Sequence, residues 1–366
     1  MISLTKIILQ KDEINTVIKV LKSGQLAQGK KVEELESTFA NFCGTKYAVA
    51  VNSGTAAIHC ALYTCGLKQG DEVITTPFTF VASANPILMV GAKPVFIDVD
   101  EKSLNLDPSK IESAITKKTK AIIAVNLYGQ PADYSAINKI AKKYKLIVVE
   151  DAAQSVNAKY KNKKSGNLGD IGCFSFYTTK NIMCGEGGMI TTNNKLYFEK
   201  ARRFRHHGQD PDKRYEYFDL GYNYRMTDIA ASLALVQLKR VESITEKRQQ
   251  IAKLYDNAFK KIKELVIPFV SPDRTHVYHQ YVLRIRRGQK ISRDSLRKLL
   301  KVKGIETNIH YPKPLYQFPH LFSTKIPKTF FRVTQKVIKE VLSIPVHPHL
   351  TNEEVKYISN TIQEIF

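Results

Sequence analysis

Apolar and polar positions follow two alternating rhythms over the first 190 residues. Short, nearly continuous apolar runs at 47–51, 72–75, 94–99, 121–126 and 146–150 predict strands buried on both faces. Between them, apolar residues recur every three or four positions. Those stretches predict helices over 11–22, 31–42, 55–63, 81–90, 108–115 and 134–144. In the second of these, Val32, Leu35, Phe39 and Phe42 share one helical face. Two further strands, at 171–176 and 188–192, flank a glycine-rich turn. Strand and helix in alternation build a mostly parallel sheet with helices on both faces, the α/β class.

The rhythm changes after residue 226. Residues 226–262 predict one long helix with little turn chemistry inside it. Strands at 281–286 and 305–309 then surround a helix at 292–301, followed by helices at 330–341 and 352–365. This is an α+β pattern, so two domains are expected. The large one covers 1–245, N-terminal helices included, and the smaller C-terminal one covers 246–366. No internal repeat or low-complexity tract is present.

Composition narrows the class. With 43% hydrophobic and 25% charged residues, the 366-residue chain is ordinary globular protein, not a fibre or a disordered segment. Apolar runs fall far short of the about 20 residues a membrane span needs. The first ten residues carry no small-residue cleavage site, so a cytoplasmic protein is expected. Charge is the outlier: 56 Lys and Arg against 34 Asp and Glu leave +22. Nucleic acid, an anionic membrane face or a small anionic substrate would each suit it, and so would lysines on solvated helix faces. The basic residues are interspersed, with no nucleic-acid motif, so charge alone decides nothing. The five cysteines (Cys43, Cys60, Cys65, Cys173 and Cys184) form no C-x-x-C pair and read as reduced core thiols. The nine histidines contain no H-E-x-x-H, and no metal site is expected.

Three features fall at turns after strands, where ligands of open α/β sheets gather. The first is the turn Asn52-Ser53-Gly54-Thr55, which leads into a helix whose N-terminus suits a phosphate. A helix cap explains it equally well. The second is Glu150-Asp151-Ala152-Ala153-Gln154. A carboxylate at the end of a buried strand needs a partner, such as a cationic ring nitrogen, unless it caps the next element. The third is Lys180, beyond the aromatic strand of Phe174 and Phe176. A desolvated lysine can form a Schiff base with a carbonyl, although most lysines are simply solvated.

Phosphate turn, strand-end aspartate and later lysine, in this order, are what a pyridoxal phosphate enzyme requires. The motifs S-G-T-A-A-I, T-P-F-T-F-V-A-S-A-N, V-V-E-D-A-A-Q-S, F-S-F-Y-x-x-K-N-I and G-Y-N-Y-R-M-T-D-I resemble those of the DegT/DnrJ/EryC1/StrS sugar aminotransferases. The resemblance covers nearly the whole chain. It implies an aspartate-aminotransferase-like large domain with a mostly parallel mixed sheet, plus the smaller α+β domain. It further implies that Lys180 carries the cofactor and that Asp151 pairs with its ring nitrogen. Gln154 would lie near the phenolic oxygen and Phe80 against the ring. Gly54, Thr55 and Ser175 would bind the phosphate, and Asn223 would reach the phosphate of a neighbouring subunit. A homodimer with shared sites follows from that. His310 and Tyr311 resemble a loop that meets the sugar, although a structural histidine fits as well.

Two departures stand out. Thr178 occupies a position where many members have proline, and Tyr316 one where many have histidine. Members with histidine in place of the lysine dehydrate their substrates, so Lys180 implies transamination. The expected activity is amination of a nucleotide-linked keto-deoxy sugar, with glutamate as donor, in amino sugar or polysaccharide biosynthesis. Rival expectations are a pyridoxal phosphate-dependent dehydratase, a cofactor-binding regulator without turnover, and a basic nucleic-acid-binding protein on the same scaffold.

Overall fold

A computed structural model describes residues 1–210, 213–288, 290–321 and 331–366. Two helices open the chain, α1 (Lys11–Ser23) and α2 (Lys30–Cys43). The strands β1 (Tyr47–Val51), β2 (Glu72–Thr75), β3 (Lys93–Phe96), β4 (Thr119–Val125) and β5 (Ile147–Asp151) follow. They alternate with α3 (Gly54–Thr64), α4 (Asn85–Met89), α5 (Ile111–Ala114) and α6 (Tyr134–Tyr144). A small hairpin, β6 (Lys159–Tyr160) and β7 (Lys163–Lys164), precedes β8 (Ile171–Ser175), β9 (Gly188–Thr192) and α7 (Lys195–Arg205). The seven long strands form one sheet in the order β1-β9-β8-β5-β4-β2-β3. Only β9 runs against its neighbours. The mostly parallel mixed sheet expected above is therefore present.

The strands are apolar throughout because helices cover both faces. On one face Phe39 of α2 packs edge-on against Phe174 at 4.9 Å and Phe176 at 5.5 Å, all three fully buried. On the other side of β4 and β5, Ile137 and Ala141 of α6 meet Ile122 and Val148. Truncating any of those three phenylalanines would cost about 3–5 kcal/mol. They are core, as strand aromatics usually are.

The expected single helix over 226–262 is two helices. Thr227 caps α8 (Asp228–Lys239), which stops at Arg240, where φ −104° and ψ 0° leave the helical well. The next helix, α9 (Val241–Phe259), begins at once. No glycine or proline marks the break, so periodicity alone could not find it. Asp228 is also tied to the N-terminal region. Its carboxylate accepts from Gly29 N at 2.8 Å, Val32 N at 3.0 Å and Lys31 N at 3.2 Å, capping α2 from 196 or more residues away.

The second core gathers around α9. Val241 packs with the large sheet's helices, whereas Ile251, Tyr255 and Phe259 pack on a three-stranded antiparallel sheet. That sheet contains β10 (Leu265–Val266), β11 (Tyr281–Ile285) and β12 (Val341–Ile344), in that order. Helices α10 (Arg293–Val302) and α12 (Asn352–Ile365) complete it, whereas α11 (Arg332–Val337) packs through Val337 into the large sheet's core. Two expectations fail here. Residues 305–309 form no strand, because only Ile305 (to Ile2) and Asn308 (to Ser343) pair, each in a single bridge. The expected helix over 330–341, whose first residue lies outside the described residues, ends at Val337 and yields to β12. Val337, Ile338, Val341, Leu342 and Ile344 satisfy either periodicity, and sheet pairing with β11 decides it.

Candidate active site

The lysine loop hangs from the end of β8. Phe176 N donates to Gly187 O at 2.8 Å and Cys184 N returns to Phe176 O at 2.9 Å, closing the loop that carries Lys180. Asn181 Nδ2 ties it to Val277 O at 3.0 Å. Burial pushes the Lys180 amine down to about 8, against a smaller opposing pull from Asp151. Desolvation, and then the charge of Lys180, hold the buried His279 imidazole neutral. The lysine is thus half free amine near pH 8, which an ordinary surface lysine is not.

Asp151 sits at the C-terminal edge of β5, 5% exposed. Ser83 Oγ donates to its Oδ2 at 2.7 Å and Ala153 N to its Oδ1 at 3.2 Å. Burial raises this carboxyl, while Ser83, Ala153 and the charge of Lys180 pull it back. Its chain neighbour Glu150 faces the other side of the strand. There Asn126 Nδ2 at 2.9 Å and Leu168 N at 3.0 Å donate to it, and desolvation lifts it to about 7. Gln154 accepts from Tyr128 N at 2.8 Å and donates to Tyr311 OH at 3.3 Å. Phe80 is 55% exposed, and its ring centre lies 6.2 Å from that of Tyr311.

The third part is the N-terminus of α3. Ser53 caps it by accepting from Ala56 N at 3.1 Å. The N–H groups of Gly54 and Thr55 precede the first intrahelical donor, Ala57 N, and remain available, with the positive end of the helix dipole. A Cβ on Gly54 would lie 2.8 Å from Ser175 Cβ, so glycine is what allows the turn to sit against Ser175. The result is two backbone donors beside one hydroxyl.

The residues singled out in the sequence fall into groups. Lys180, Asp151, Gln154 and Tyr311 share one neighbourhood, with Asp151 and Gln154 buried and the other two half-buried, coupled by charge or hydrogen bonding. Gly54, Thr55 and Ser175 form the turn beside it. The Asn223 carbonyl accepts from Asn52 Nδ2 at 3.4 Å, just before that turn, and the residue is exposed. The His310 ring is engaged by Ser343 Oγ at 2.9 Å and Asn308 Nδ2 at 3.3 Å, and burial lowers it to about 4. Ser83, Tyr128 and His279 were not anticipated, because their partners are distant in sequence. For Ser83 the one signal was its place in the T-P-F-T-F-V-A-S-A-N segment.

Among the described residues no group of three or more His, Cys, Asp or Glu could hold a metal ion, and no helix is long and apolar enough to cross a membrane. The five cysteines are free thiols.

Known proteins resemble this chain over most of its length. The chain is 41% identical over 350 residues to the UDP-2-acetamido-2-deoxy-3-oxo-D-glucuronate aminotransferase of Pseudomonas aeruginosa, covering 95% of this chain and 94% of that protein. It is 38% identical over 340 residues to the GDP-perosamine synthase of Caulobacter vibrioides, covering 92% and 90%. The sugar aminotransferase Spr1654 of Streptococcus pneumoniae, assigned as putative and solved in its PLP form, superposes with a TM-score of 0.93. That match has 30% identity and covers 100% of this chain and 98% of that one. The family model for these enzymes matches residues 8–363, and the chain belongs to the DegT/DnrJ/EryC1/StrS aminotransferase family.

Proposed function

We propose that the protein is a pyridoxal phosphate-dependent aminotransferase that converts a nucleotide-linked keto-deoxy sugar to an amino sugar, with glutamate as donor. One observation carries the cofactor: a buried carboxylate and a desolvated lysine face one another beside a helix N-terminus with free donors. Each part suits a different portion of pyridoxal phosphate. Gly54 N, Thr55 N and Ser175 Oγ would hold the phosphate. Asp151 would hold the protonated ring nitrogen, which supplies the cation its burial calls for. Phe80 and Tyr311 would bound the ring, and Gln154, oriented by Tyr128 N, would present its amide to the phenolic oxygen. Bound there, the cofactor supplies an electron-poor ring that accepts the electron pair released when a C–H bond beside nitrogen is broken.

The chain's own groups do the rest. Lys180 takes a proton from one carbon and returns it to another, a task suited to an amine near pH 8. Ser83 keeps the Asp151 carboxylate turned toward the ring nitrogen. Asp151 stays ionised by losing part of its desolvation penalty to that partner. A lysine at 180, where dehydrating members of the family have histidine, supports transamination over dehydration. The nucleotide sugar is supported by the activities of the relatives named above, and amino sugar and polysaccharide biosynthesis would be its setting.

A homodimer is supported by an exposed apolar stretch. Tyr215, Tyr217, Phe218 and Leu220 are each more than half exposed, and Tyr222 and Asn223 follow them. Such a patch rarely faces water alone. Asn223 would then serve the partner's phosphate site.

Borohydride reduction of the protein incubated with pyridoxal phosphate, followed by peptide mapping, tests the reading. A label on Lys180 is expected. A label elsewhere, or none, overturns it. Mass spectrometry of keto sugar nucleotides mixed with the glutamate-treated enzyme then identifies the substrate.

A further inference from the structure

The net charge of +22 is far more than one phosphate turn and one substrate call for. Part of it converges on a groove of about 1280 Å³. One wall is formed by the turns after β3 and β4, at 101–104 and 127–130. The other is formed by 266–270, β11 and α11. The groove contains none of Lys180, Asp151 or the α3 turn, and it touches that site only through Tyr128.

Two of its cations are already neutralised. Arg284 donates to Glu340 Oε2 at 2.7 and 2.9 Å and to Glu101 Oε1 at 3.2 Å, while Lys336 pairs with Glu101 at 2.6 Å. Five others, Lys102, Arg286, Arg287, Arg332 and Lys339, have no carboxylate partner among the described residues. Five like charges around one concavity repel each other unless an anion joins them. Arginine forks match phosphate oxygens pairwise. On the groove wall Phe269 is 43% exposed, with Lys102 Nζ 6.0 Å from its ring centre, offering a face for a flat ring. The concave shape suits a small molecule better than a duplex.

We propose that this groove is a second, non-catalytic site that binds a small molecule bearing a diphosphate. The ligand bridges the two walls, because Lys102 belongs to one and Arg286, Arg287, Arg332 and Lys339 to the other. It also lies against Tyr128, whose hydroxyl donates to His310 O and whose N–H orients Gln154. Occupancy therefore stiffens the contact between the groove's walls beside the candidate active site.

Calorimetric titration of the borohydride-reduced holoenzyme with sodium pyrophosphate at low salt tests this, because the cofactor's own phosphate turn is then filled. Saturable binding of one pyrophosphate per chain is expected. The exposed double variant Arg286→Glu/Arg287→Glu, and separately Lys339→Glu, should each weaken it by about tenfold or more, as loss of a charged hydrogen bond does. UDP is the second probe. Equal affinity assigns the site to the phosphates alone, and tighter UDP binding that is lost in Phe269→Ala extends it to a nucleoside. No saturable binding, or binding unchanged in both charge variants, overturns the proposal. So does binding of a 20-nucleotide RNA that pyrophosphate fails to displace.

Discussion

Ser83 Oγ lies 2.7 Å from Asp151 Oδ2, and the two residues, 68 positions apart in the chain, meet at the edge of the sheet. The serine fixes which way a buried carboxylate points. Removing either group separates orientation from charge. Asp151→Asn keeps shape and removes charge, so the folded protein should lose about 10²–10⁴-fold in turnover. Ser83→Ala keeps the charge and should lose only about tenfold, the worth of one charged hydrogen bond. Single-turnover rates with glutamate measure both. Near-normal turnover in Asp151→Asn would reduce Asp151 to a helix cap.

Covalent attachment of pyridoxal phosphate to the apoprotein should titrate with Lys180. Its amine is lowered from 10.5 to about 8, and only the neutral amine attacks a carbonyl. The attachment rate should rise about tenfold per pH unit up to about pH 8 and then level off. A rate still climbing tenfold per unit at pH 10 would mean an ordinary, solvated lysine. Stopped-flow absorbance from pH 6 to 10 reads it directly.

Glu150 makes a stability prediction. Its folded value is raised from 4.5 to about 7, so the folded chain holds that proton more tightly than the unfolded one. The contribution is full below the ordinary value and is lost as pH rises through about 7. Glu150→Gln cannot ionise and escapes that loss. The difference in unfolding free energy between variant and parent should shift toward the variant by on the order of 3 kcal/mol from pH 4.5 to pH 8. Denaturant titrations at the two pH values measure it. A pH-independent difference would mean that the carboxyl is ionised throughout.

The helix-and-strand alternation before residue 190 was legible because each buried strand is a compact apolar run. Gly54, Asp151 and Lys180 were legible because each stands at a strand end in its own short motif. Their supports were not. Ser83, Tyr128 and His279 reach them through tertiary contacts that leave no local spacing. The stop at Arg240 carries no turn residue, and β12 shares its apolar pattern with a helix. The basic groove draws its cations from positions as far apart as 102 and 339, so composition registered the charge but gave it no place.

Asn223 decides whether sites are shared. Lys180→Ala and Asn223→Asp chains should each be inactive alone, the aspartate because it places a second negative charge beside a phosphate. Refolded or co-expressed together, they should recover activity, since one site of each mixed dimer inherits neither defect. Activity assays on purified mixed dimers measure this. Dead mixed dimers would assign Asn223 to its own chain, where its carbonyl already touches Asn52.

The contact of Gly54 with Ser175 has a consequence beyond the turn itself. Ser175 ends β8, and Lys180 follows it five residues later on a loop closed back onto Phe176. One anion donor, Ser175, and the amine are therefore carried by a single strand, with the Gly54 turn packed against it, and the gap between them is set by the sheet rather than by flexible side chains. The pair works as a caliper. A ligand is gauged by the separation of its phosphate and its carbonyl before any wall contacts its ring. An aldehyde without the phosphate, or with it one bond closer, is gripped at one jaw only.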